Sequence, residues 1–91
     1  MFDLTYSARF FKDLKRCDKR GLDLQKLEEV ICDLRDGIVL DAKYRVHPLQ
    51  GTYKGYMECH IEFDWLLIYS VDADKNKIRI ARTGTHRDLF P

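Results

Sequence analysis

The sequence predicts an α+β fold in which an N-terminal helical hairpin packs on a small antiparallel β-sheet, with an N-terminal edge strand as an added possibility. Two observations predict it. Apolar residues recur at helical spacing as far as Leu34, and from Tyr56 onward the pattern changes to period two. The connections between periodic segments are short, which favours neighbouring elements that run antiparallel. Ninety-one residues with 45% hydrophobic content form a single domain over residues 1–91, with a real but small core.

Phe2 to Tyr6 is a short apolar run suited to an opening strand. Ser7 is a candidate N-cap for a first helix carrying Phe10, Phe11, Leu14 and Cys17, with Gly21 as its stop. Asp23 caps a second helix in which Leu24, Leu27, Ile31 and Leu34 form one stripe, and Gly37 ends it. A loop runs through His47 and Pro48. From Tyr56 to Phe63, the apolar residues Met57, Cys59, Ile61 and Phe63 alternate with Tyr56, Glu58, His60 and Glu62, as in a half-buried strand. Trp65 to Val71 is nearly continuously apolar and reads as a central strand, and Lys77 to Thr83 follows after a polar turn.

Charge is almost balanced at +1, yet unevenly placed. Arg9 to Arg20 holds six basic residues against two acidic ones, and Asp23 to Asp36 holds two basic against five acidic. The first strip is either an electrostatic footprint for a phosphate backbone or an ordinary solvated helix face. Three cysteines without CxxC spacing make a disulfide framework unexpected. The opening residues MFDLTYSARFF lack the apolar stretch of a signal peptide, and no run of 18 apolar residues spans a membrane, so a cytoplasmic protein is expected.

All three histidines fall in two polar-aromatic segments, His47 and His60 in HPLQGTYKGYMECHIEFDW and His86 in RTGTHRDLF. Histidine titrates nearest neutrality and so suits proton transfer at physiological pH. A turn or bulge at Phe63 would bring His60 and Asp64 together, while Glu58, His60 and Glu62 share one side of their strand. Adjacent strand residues point to opposite faces, so Cys59 and His60 do not share a zinc ion, and no metal site is expected.

These residues carry a resemblance. H-P-L-Q-G-x-Y-K-G-Y-x-E-x-H-I-E-x-D-W-L-L-I-Y from His47 to Tyr69, with R-T-G-T-H-R-D-L-F from Arg82 to Phe90, resembles the YafQ branch of the RelE/ParE toxin superfamily across essentially the whole chain. The resemblance implies a toxin of a type II toxin–antitoxin module, a ribosome-dependent and metal-free mRNA endoribonuclease held by a cognate antitoxin. No small-molecule cofactor and no membrane is implied. It places catalysis on His47, His60, Asp64 and His86. Arg82, Phe90, Glu58 and Trp65 would contact substrate, and Lys12, Lys15, Arg16 and Lys19 would face the ribosome. The products would be a 2′,3′-cyclic (or 3′) phosphate and a 5′-hydroxyl. Two positions depart from close relatives: Glu58 stands where aspartate is expected, and Phe63 where proline is common. The competing expectation is a non-catalytic binding module of the same fold, either a gyrase-type poison or a degenerate antitoxin-binding subunit.

Overall fold

The computed structural model describes residues 1–91. Its elements are β1 (Asp3–Tyr6), α1 (Ala8–Lys19), α2 (Leu24–Arg35), β2 (His47–Pro48), β3 (Met57–Glu62), β4 (Trp65–Asp72), β5 (Lys77–Gly84) and α3 (His86–Leu89), with single 3₁₀ turns at Ala42–Tyr44 and Gly51–Tyr53.

Both long helices begin and end where the sequence places the signals. The Ser7 hydroxyl accepts the Phe10 N–H at 3.0 Å, and the Asp23 carboxylate accepts the Gln25 N–H at 3.1 Å. At the other end of α1, the N–H of Leu22 reaches back to the Cys17 carbonyl and that of Gly21 to Asp18, which satisfies carbonyls the helix leaves open. Gly21 and Gly37 both adopt positive φ, at 78° and 72°, which glycine tolerates without a Cβ penalty. One helical face differs from expectation. Phe10 and Cys17 are buried, but Phe11 is exposed, and Asp13 takes a place in the buried stripe.

The sheet runs in the order β1-β5-β4-β3-β2 and is mixed. β3, β4 and β5 form the expected antiparallel meander, and β1 joins the edge of β5 in parallel, with Leu4 opposite Ile78. The expected loop at His47–Pro48 is a two-residue strand paired with Glu58 and Met57. So short a ladder leaves no periodicity to read.

β4 is buried on both sides, which explains its continuous apolar run. Trp65, Leu67 and Tyr69 pack with Phe10, Cys17, Leu27, Val30, Ile31 and Leu34 beneath the helices. Leu66 and Ile68 face the other way, against Ala81 and Leu89, covered by Leu49, Tyr53 and Tyr56. The helices therefore close one face of the sheet, and the segment after β2 together with α3 covers the other. This second face holds the histidines. Phe63, expected to continue the inward alternation of β3, lies instead in the turn after it and is 92% exposed, because a register shift between His60 and Glu62 breaks the alternation.

Candidate functional site

Three strand-borne or helix-borne imidazoles stand in a row on the second face. The His47 and His60 ring centroids lie 6.0 Å apart, those of His60 and His86 lie 5.9 Å apart, and the Phe90 ring is 6.3 Å beyond His86. β2, β3 and the start of α3 each supply one histidine, so the row exists only in the folded chain.

Each flanking imidazole has a ring nitrogen committed. His86 Nδ1 lies 2.8 Å from Asp64 Oδ1, and the same oxygen accepts the His86 backbone N–H at 3.0 Å. The pairing fixes the ring with Nδ1–H as donor and leaves Nε2 pointing outward. These hydrogen bonds, the backbone one foremost, hold the Asp64 carboxyl below its ordinary pKa, so it stays ionised. His47 Nδ1 lies 2.8 Å from the Arg45 carbonyl, which accepts its proton and turns Nε2 toward Glu58. The left-handed backbone at Arg45, with φ of 51°, aims that carbonyl.

Glu58 was expected at the substrate face and is instead buried beneath it, at 2% exposure. β2 lies over this part of β3, and the Glu58 carboxylate meets Nε2 of His47 at 3.3 Å and Nε2 of His60 at 3.7 Å. A carboxylate so placed stabilises the positive charge either imidazole gains on taking a proton. The donor atoms of His47, Glu58 and His60 also fall within 4.8 Å of one another, a set that can hold a borderline cation such as zinc. The sequence did not reveal this set, because it joins two strands at no recognisable spacing.

Arg82, expected to meet phosphate, donates through Nε at 2.7 Å and Nη2 at 3.2 Å to buried Asp13 of α1, and through Nη1 to the Tyr53 hydroxyl at 3.1 Å. It is an internal tie between α1, β5 and the segment that carries Tyr53. The Tyr53 ring in turn meets Phe90 edge-on at 5.7 Å, which links Arg82 to the aromatic edge of the site. Thr83 accepts the Trp65 indole N–H at 2.9 Å and donates to the Leu66 carbonyl at 2.7 Å. Trp65, expected to contact substrate, is thus a core residue at 2% exposure, since strand alternation sends it to the helix side, opposite the histidines. A Cβ on Gly84 would sit 2.8 Å from Asp88 Oδ2, so only glycine lets Asp88 close against this strand. Thr85 and Asp88 then form a capping box that starts α3 and sets His86 at its first position.

Asp88 also receives Arg20 at 2.6 Å and Arg16 at 3.2 Å, which ties α1 to α3. Arg16, expected to face the ribosome, is therefore drawn toward the protein. Lys12, Lys15 and Lys19 remain exposed and without an ion pair. The Arg20 guanidinium, with help from the Thr85 backbone and hydroxyl, holds the Asp88 carboxyl well below the usual carboxylate range. A depressed native pKa contributes stability in full above the unfolded value of about 3.9, and the contribution is lost as pH falls through the native value. The expected result is a melting temperature that declines as pH drops below about 4, with a flatter decline in Asp88→Asn. At neutral pH the variant keeps an oxygen that accepts the Thr85 N–H but loses the charge paired with Arg16 and Arg20, about 0.5–1 kcal/mol by thermal melting. An unchanged slope in the variant would assign the acid sensitivity elsewhere.

Burial pushes the Cys59 thiol up to about 12, so it is no thiolate nucleophile. The site is therefore an imidazole–carboxylate array open to solvent, bordered by Arg45 and Phe63. Asp13, Tyr53, Thr83 and Asp88 support it and escaped the sequence reading, since their partners are remote along the chain.

Comparison with known proteins shows the family and the fold. The profile of a family described as a bacterial toxin of type II toxin–antitoxin system, YafQ, matches residues 2–91. The mRNA interferase toxin YafQ of Escherichia coli K12 is 45% identical over 89 residues, covering 97% of this chain and 95% of that protein. The E. coli DinJ–YafQ complex superimposes with a TM-score of 0.89 at 41% identity, covering 100% of both chains. A metal-bound toxin from Helicobacter pylori gives 0.91 at 39% identity, covering 99% of this chain and 100% of the other.

Proposed function

This chain belongs to the YafQ family of type II toxin–antitoxin toxins, and from that premise we propose that it is an mRNA endoribonuclease that arrests translation and is held in check by a cognate antitoxin. The E. coli relative is named an mRNA interferase, and another solved relative is a complex with DinJ. The reading extends to a single domain over residues 1–91 that works in the cytoplasm on ribosome-bound message. No helix is long and apolar enough to cross a membrane.

The row of imidazoles, with Asp64 and Glu58 behind it, is the observation that carries the chemistry. Cleavage needs a base to take the proton of a 2′-hydroxyl as its oxygen attacks the adjacent phosphorus. It also needs an acid to protonate the departing 5′-oxygen. His60, backed by Glu58 and His47, serves as the base. His86 serves as the acid, because Asp64 stabilises its imidazolium and leaves Nε2–H directed outward. Phe90, half open at 42% exposure, offers a ring on which a splayed base stacks. Lys12, Lys15 and Lys19 give the exposed positive surface that meets ribosomal RNA.

Primer extension on a reporter mRNA in a purified translation system tests the reading, with wild type and His86→Ala, with and without ribosomes. Cuts only with ribosomes and only with wild type support it. Toxicity in cells without cuts in any lane would favour the non-catalytic binding module.

Metal dependence gives a second check. The base His60 and the Glu58 behind it also belong to the set that can bind zinc, so the two uses exclude each other. Cleavage is expected to persist in excess EDTA and to fall with added zinc, and EDTA should restore it. Activation by zinc would overturn the metal-free mechanism.

A further inference from the structure

Resting on the nuclease reading, we infer that Phe63 and Arg45 form a second nucleotide subsite beside the histidine row, with Phe63 stacking on the base that neighbours the scissile phosphate and Arg45 holding that nucleotide's phosphate. The hollow containing His47, His60, Asp64 and His86 does not end at the histidines. A second hollow adjoins it, and the two share Arg45, His60 and Phe63. A strand of RNA whose scissile phosphate sits at His60 therefore continues past these two side chains.

Their chemistry suits that path. Single exposed apolar residues are common and need no explanation. Phe63 is different because of where it stands: at 92% exposure, on a tight turn next to Asp64, at the rim of both hollows. The turn between β3 and β4 holds its backbone at the rim, and the exposed ring is open to a base. Aromatic stacking of this kind accepts any base.

The cations fit as well. Glu62 at this rim is taken by Lys26 at 3.0 Å. Lys43 and Arg45 carry no ion pair within the protein, and the Lys43 ammonium rests 5.1 Å from the centre of the Tyr44 ring. Two unpaired cations face the single remaining carboxylate of this hollow, Glu29. Arg45 sits in a left-handed conformation whose carbonyl holds His47, so its backbone is fixed while its guanidinium is free.

The test compares wild type, Phe63→Ala, Phe63→Trp and Arg45→Asn on ribosome-bound mRNA. One message is cleavable; a second carries a 2′-O-methyl at the cut and 2-aminopurine beside it. Phe63→Ala is expected to raise KM about tenfold, in line with the loss of one stacked base, and to abolish the 2-aminopurine quench. Phe63→Trp should restore both. Asparagine tolerates the left-handed backbone, so Arg45→Asn should keep the His47 contact and lower the salt dependence of binding by about one phosphate. Cutting by Phe63→Ala with unchanged KM and quench would overturn the subsite and leave the nuclease reading standing. Failure of wild type to cut the first message would overturn both.

Discussion

His86→Ala should reduce single-turnover mRNA cleavage by about 10²- to 10⁴-fold, the span typical of a lost general acid or base. The fold should survive, because His86 is exposed and α3 is started by Thr85 and Asp88 without the imidazole. Asp64→Asn gives the sharper test of mechanism. The asparagine still reaches the His86 backbone but loses the charge that stabilises an imidazolium, and its amide permits the wrong tautomer. A large rate loss with unchanged melting temperature is therefore expected for both variants, together with a bell-shaped pH profile in the wild type that the variants distort. Should Asp64→Asn cleave at the wild-type rate, the acid would not be His86. Because Asp64 is held ionised below its ordinary range, the acid limb of that profile should not track its titration at pH values where the protein stays folded.

Asp13→Ala is expected to be the most destabilising single change. Asp13 is 1% exposed and accepts two Arg82 N–H groups and the Thr83 backbone N–H at 3.2 Å. Truncation leaves a largely buried guanidinium and a buried amide without partners, which costs about 3–5 kcal/mol. In a domain of this size each kcal/mol moves the melting temperature by about 4–8 °C, so a drop of about 20 °C is expected by calorimetry or circular dichroism. Arg82→Met on the same background should recover part of the loss, since replacing both partners removes the uncompensated charge. A drop of only a few degrees in Asp13→Ala would mean that water relaxes into the gap. The same double variant separates stability from chemistry: regained stability without regained cleavage would mark Arg82 as a positioning residue acting through Tyr53 and Phe90.

Much of this protein is written locally. Ser7, Gly21, Asp23 and Gly37 set the two helices because caps and stops act within four residues. WLLIYSV declares the central strand because both faces of its Trp65–Tyr69 stretch are buried. The histidine segments were legible through their residue types and their resemblance to one toxin family, and the strand carrying His60 through its alternation. What a residue touches was not legible in the same way. Trp65 and Arg82 stand in motifs beside the site, yet the indole turns into the core, and the guanidinium is captured by a carboxylate 69 positions away. Glu58 shares the face of His60, but only the two-residue strand laid over it buries the carboxylate. Alternation carried Phe63 inward on paper, and one register shift after His60 put it in solvent. The parallel seat of β1 on β5 is likewise a pairing between the two ends of the chain. Caps, periodicity and residue chemistry are short-range properties that the sequence by itself determined. Partnerships across the sheet depend on strand order, register and what else covers each face, and only the tertiary structure decided them.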